Sequence, residues 1–81
     1  MRLEVQTRKD KQPWKTKYLI SSKTEGSGAY RKRHSDREAM SDGWFYFRCL
    51  NVGPGWRKRL VEIADNGEKF VRATFVYPTI G

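Results

Sequence analysis

Three clusters in this chain offer chemistry. Tyr30-Arg31-Lys32-Arg33-His34 sets three cations and a histidine beside an aromatic ring. Trp56-Arg57-Lys58-Arg59 repeats the combination just after Gly53-Pro54-Gly55, and Trp44-Phe45-Tyr46-Phe47-Arg48 sets four aromatics against an arginine. Guanidinium and ammonium groups meet phosphate oxygens, whereas Trp and Tyr rings stack on bases. Together they suit a polyanion that carries flat rings, which is nucleic acid. The expected phosphate contacts are Lys15, Lys17, Arg31, Lys32 and Arg33. The expected stacking rings are Tyr30, Trp44 and Tyr46, with Arg48, Arg57 and Arg59 contributing where their strand faces are open.

Catalysis has less behind it. His34, near Asp36 and Glu38, is the one histidine and could serve a small ribonuclease as acid or base. General catalysis needs that group held in reach of its proton, usually by a partner. The Gly26-Ser27-Gly28 surroundings promise no such support, so no enzyme is expected. One cysteine, Cys49, and one histidine fall short of the usual zinc ligand set, and no metal or other cofactor is expected.

Composition agrees with a binding role. The chain has 81 residues, 17 Lys+Arg against 9 Asp+Glu, a net charge of +8, and 3 Trp, 4 Tyr and 4 Phe. Its length suits a single small domain over 1–81 and excludes a two-lobed enzyme or a doubly wound nucleotide-binding fold. No apolar run approaches a transmembrane span, and the charged start Met1-Arg2-Leu3-Glu4 gives no secretory signal, so no membrane partner is expected. A lone cysteine suits a reducing, cytoplasmic setting. The charge is uneven: residues 1–40 hold 11 basic and 5 acidic side chains, residues 41–81 hold 6 and 4. An excess of this kind draws in polyanions through long-range electrostatics.

These residues must be positioned by short strands. Residues 1–8 alternate with Leu3 and Val5 on one face, the period of a half-buried strand. A second strand is expected from about Trp14 to Ser22, with Trp14, Thr16, Tyr18 and Ile20 on one side and Lys15, Lys17, Leu19 and Ser21 on the other. Residues 23–43 read as a long, basic, mobile loop with at most one short helix near 35–41, started by Ser35 and Glu38 as a capping box and stopped by Asp42-Gly43. Trp44 to Val52 is dense in β-favouring residues and predicts a strand. Phe45, Phe47 and Cys49 suit its core face, leaving Trp44, Tyr46 and Arg48 outward, unless both faces are buried. The hexapeptide Asp42–Phe47 resembles the Gly-aromatic strands of RNA-recognition and cold-shock domains, and Gly53-Pro54-Gly55-Trp56-Arg57 resembles the opening of methyl-CpG-binding domains. Both stretches are too short to assign a family.

The last two strands, Arg57 to Ala64 and Glu68 to Tyr77, flank Asp65-Asn66-Gly67, a strong hairpin signal. A three-residue loop there sets Ala64 opposite Glu68, Val61 opposite Val71 and Ile63 opposite Lys69. That register gathers Val61, Ile63, Val71, Ala73 and Phe75 on one face and Lys58, Glu62 and Arg72 on the other. The expected fold is mainly β: first a small antiparallel five-stranded barrel, SH3-like or OB-like, or a strongly twisted sheet, and second an open four- or five-stranded sheet with one short helix. The alternative function is a protein-interaction module or inhibitor, an accessory protein of phage or plasmid type acting on a nucleic-acid-processing machine. Trp, Tyr and Arg are also the usual hot-spot residues of interfaces.

Overall fold

The alternation in the N-terminal residues is realised as β1 (Arg2–Lys9), whose Leu3, Val5 and Thr7 are buried while the residues between them are not. The computed structural model describes residues 1–21 and 36–78. A turn over 10–12, with Asp10 at a φ of 52°, leads into β2 (Lys15–Ser21). Then follow α1 (Asp36–Cys49), β3 (Trp56–Ile63) and β4 (Lys69–Val76). The strands form one antiparallel sheet in the order β2-β1-β3-β4. Among the described residues there are four strands and not five, and β2 and β4 remain edges, so the expected barrel does not close.

The largest correction lies at 44–52, where α1 runs through Cys49 and residues 50–52 are irregular, so no strand forms. Ala39, Met40, Gly43, Tyr46, Phe47 and Leu50 recur at spacings of three and four, which puts them on one helical face. Ala39, Gly43 and Phe47 are buried there, and Met40, Tyr46 and Leu50 pack against the same core. Gly43 does not stop the helix; it lets α1 approach the sheet. A Cβ on it would lie 3.1 Å from Leu3 Cδ1 and 3.2 Å from Leu60 Cδ1. Asp36 and Glu38 in the first turn and Arg48 in the last complement the helix dipole. The stretch expected as a loop over 23–43 is helix from Asp36 onward, and its residues 23–35 lie outside the described residues. Cys49, expected in the core, is exposed on α1.

The core holds Leu3, Val5, Ile20, Ala39, Phe47 and Leu60 between α1 and the sheet. The helix lies over β2, β1 and β3 and stops short of β4. One side of the sheet thus has a partner layer, and the other has none among the described residues.

The final hairpin forms as expected near its turn. Ala64 N–H donates to the Glu68 carbonyl at 2.8 Å, and Val61 and Ile63 stand opposite Val71 and Lys69. Gly67 takes a φ of 89°, a conformation that side-chain-bearing residues seldom adopt. Beyond Val61 the register shifts, because Arg72 is an extra residue between Leu60↔Ala73 and Val61↔Val71. Ala73 and Phe75 consequently leave the face of Val61 and Val71 and join that of Leu60 and Lys58, the helix side. Lys58 is buried there, contrary to the solvated position expected.

Candidate functional site

The uncovered side of the sheet collects the residues that register places opposite one another and away from α1. Arg8 of β1 stands directly across from Arg57 of β3, and Gln6 from Arg59. Trp14, just before β2, brings its ring to the same place. The Arg8 guanidinium carbon lies 4.9 Å and that of Arg59 4.2 Å from the Trp14 ring centroid. Cation–π attraction of this kind holds a guanidinium plate against the ring and leaves its N–H edge to meet a ligand.

A polar relay fixes Arg59. Thr16 Oγ1 and Gln6 Nε2 donate to Glu4 Oε1 at 2.6 and 2.9 Å, and Arg59 Nε donates to Gln6 Oε1 at 2.7 Å. The relay crosses β2, β1 and β3. Burial of the Arg59 guanidinium, together with the positive charge of Arg8, pulls its pKa below the usual arginine value, against the pull of Glu4. Arg8 Nε is buried without a hydrogen-bond partner. Like charges directly opposite on a sheet repel, and an unpartnered buried donor costs about 1–3 kcal/mol. An anion bound at the exposed guanidinium edges would relieve the repulsion.

Of the residues singled out in the sequence, the structure brings Arg57 and Arg59 into this cluster. Arg8 and Trp14 were missed, because only the pairing of β1 with β3, across more than forty intervening residues, puts Arg8 beside Arg57. Lys15 and Lys17 fall on the helix side of β2. Lys15 pairs with Thr7, and Lys17 is the extra residue of a bulge opposite Val5 and Gln6. The same bulge carries Tyr18 and Ile20 to the helix side while Trp14 and Thr16 stay on the open one, which corrects the two faces expected for this strand. Lys17 lines a hollow of about 280 Å³ with Thr7, Leu50, Val52 and Trp56.

Trp44, Tyr46 and Arg48 do not share a face, since α1 turns through about 200° over two residues. Trp44 and Arg48 are exposed on the helix. Tyr46 turns to the sheet and stacks on Tyr18, centroids 4.9 Å apart and planes 21° apart. Tyr30, Arg31, Lys32, Arg33 and His34 lie outside the described residues. The described residues contain no group of three or more His, Cys, Asp or Glu placed to hold a metal, and no helix among them is long and apolar enough to cross a membrane.

Comparison with protein-family models, characterised proteins and solved structures finds no match for this chain.

Proposed function

We propose that this chain binds nucleic acid through the uncovered face of its sheet. Arg8, Arg57 and Arg59 meet backbone phosphates there, and Trp14 holds two of the guanidiniums in place. The observation that carries the reading is the cluster itself: three arginines at one end of an open face, one with a buried, unpartnered Nε, and two set over one indole ring. Guanidiniums aimed at phosphates position a strand without reading its sequence, so the binding is sequence-tolerant. Tyr30, Arg31, Lys32 and Arg33 lie outside the described residues and enter this reading on their chemistry alone, while Lys15, Lys17, Trp44 and Arg48 lie off the uncovered face and are secondary. The single cysteine supports a reducing, cytoplasmic setting, and no catalytic role is proposed.

The test is fluorescence anisotropy of labelled single- and double-stranded DNA and RNA. If three arginines each neutralise one phosphate, affinity falls about 20- to 40-fold between about 50 and 200 mM salt. An Arg8→Gln/Arg59→Gln double variant then binds weakly and with a shallower salt dependence. A folded protein that binds none of the four probes at low salt overturns the proposal. A protein-interaction role is the second reading, and the apolar side chains that β4 exposes favour it.

A further inference from the structure

β4 has a surface that the nucleic-acid reading does not use. The helix does not reach it, and Phe70, Val71, Phe75 and Val76 are 40%, 55%, 42% and 49% exposed. Register puts Phe70 and Phe75 on the helix side and Val71 and Val76 on the other, so this edge strand is apolar on both faces. The opposite edge, β2, carries Lys15, Lys17 and a bulge; β4 also carries two cations, Lys69 and Arg72, and a bulge, but Arg72 is drawn back to Glu62 of β3. Charges and bulges are how proteins blunt an edge, and a long apolar edge without enough of them invites another strand.

The hydrogen-bonding pattern shows which groups the β4 edge offers. Ala64 N–H donates to the Glu68 carbonyl, and Tyr77 N–H donates to the Trp56 carbonyl at 3.0 Å. Alternate residues continue that ladder toward β3 on each side of the Arg72 bulge. The main-chain groups of Lys69, Val71, Thr74 and Val76 consequently point away from the sheet. The spacing of these four is two, three, two. A regular strand laid along this edge loses register at Arg72, because its outward groups recur every second residue.

We infer that the strand fitting this edge is β4 of a second copy, paired antiparallel about a two-fold axis. The copy carries the same extra residue at the same place, so the two bulges face each other and the register runs through. Lys69 then stands opposite Val76 of the second copy, Val71 opposite Thr74, and Phe70 opposite Phe75. Every outward main-chain group finds a partner, and each directly opposed pair lies on one face of the sheet, as antiparallel pairing requires. Two Phe70–Phe75 pairs form beside the bulges on the helix side, the kind of aromatic pair that stabilises sheets. Arg72 is already ion-paired to Glu62 at 2.8 Å, which limits repulsion across the axis. The contact is isologous and closed: an eight-stranded sheet ends on two lysine-guarded β2 edges, and growth stops at two chains. The inference is independent of what the open face binds.

Sedimentation equilibrium of the intact chain, from low-micromolar to near-millimolar concentration, reads the outcome. The expected mass rises from one chain to two and no further. Thr74→Pro removes an outward N–H that the fold of one copy does not use, and it shifts the dimer constant at least tenfold toward monomer. A Phe70→Cys/Phe75→Cys variant in a Cys49→Ser background forms a covalent dimer on oxidation. Within one chain those positions are about 16 Å apart along a strand, too far for a disulfide. A wild-type chain that stays monomeric throughout, assembles beyond two, or dimerises without this cross-link overturns the inference.

Discussion

The Lys58 ammonium donates a 2.6 Å hydrogen bond to the main-chain carbonyl of Phe47 and lies 4.7 Å from the centroid of the same residue's ring. A second bond, 2.9 Å long, goes to the Leu50 carbonyl. Carbonyls at the end of a helix have no partner within it, and the helix dipole concentrates negative charge there. A lysine from β3 thus closes the C-terminal end of α1 and ties the helix to the strand that carries Arg57 and Arg59.

Lys58→Met keeps most of the side-chain volume but leaves both carbonyls without their donor. It is expected to destabilise the fold by about 1–3 kcal/mol. Burial holds the Lys58 pKa below its ordinary 10.5, only partly offset by the neighbouring Cys49 thiol. Between the lowered value and 10.5 the unfolded chain still holds the proton that the folded chain has released, so stability rises with pH across that window. Urea unfolding at neutral pH and again just below 10.5 checks both points. The wild-type advantage over the methionine variant widens at the higher pH; a gap that narrows there contradicts the account.

Gly43→Ala sets two effects against each other. Alanine favours a helix interior by about 1 kcal/mol over glycine, whereas overpacking a core costs about 1–3 kcal/mol. The new Cβ would sit 3.1 and 3.2 Å from the Cδ1 atoms of Leu3 and Leu60, and both leucines are 0% exposed. Each must shift within the packed core to admit the Cβ, so packing is expected to win and the variant to melt lower than wild type. Gly43→Val, larger and β-branched, loses more. A Gly43→Ala protein more stable than wild type would show that the core gives way.

The legible part of this fold was local. Alternation in Leu3, Val5 and Thr7 marks β1, and Asp65-Asn66-Gly67 sets the register of Val61 against Val71. What misled was the run Trp44–Phe47, whose β propensity is strong and whose helical periodicity completes only when Gly43 counts as a core residue. Propensity yields to packing when a helix is the one element that buries Ala39, Gly43 and Phe47 together. Single extra residues at Lys17 and Arg72 then swap faces further along each strand, which period-two reasoning cannot register. The candidate site depended on the remote β1–β3 pairing, so its arginines were visible only in part.

Glu4 gives a test at acid pH. Burial pushes its carboxyl up, but hydrogen bonds from Thr16 and Gln6 and the charges of Arg2 and Lys69 outweigh that and leave its pKa below the ordinary 4.5. The folded state therefore favours the carboxylate, and the benefit is complete above 4.5 and lost as pH falls through the lowered value. Glu4→Gln is expected to cost about 1.5 kcal/mol or more at neutral pH, the scale of hydrogen bonds to a charged group. Denaturant midpoints measured downward from neutral should converge for the two proteins in acid. A difference that stays constant with pH would mean the carboxylate charge contributes nothing.

Trp14 separates positioning from charge. Its ring holds Arg8 and Arg59 without touching a phosphate itself in the proposed complex. Arg59→Gln removes one phosphate contact, weakening binding and lowering the salt slope by about 1. Trp14→Leu leaves the cation count unchanged but frees two guanidiniums that must be ordered again on binding. The expected loss is about tenfold at every salt concentration, within the range of two cation–π contacts, with the slope preserved. Anisotropy titrations of both variants over a salt series read the two quantities separately. A Trp14→Leu protein whose slope drops as far as that of Arg59→Gln would show that the ring does more than hold the arginines, and one that binds as wild type would remove Trp14 from the site.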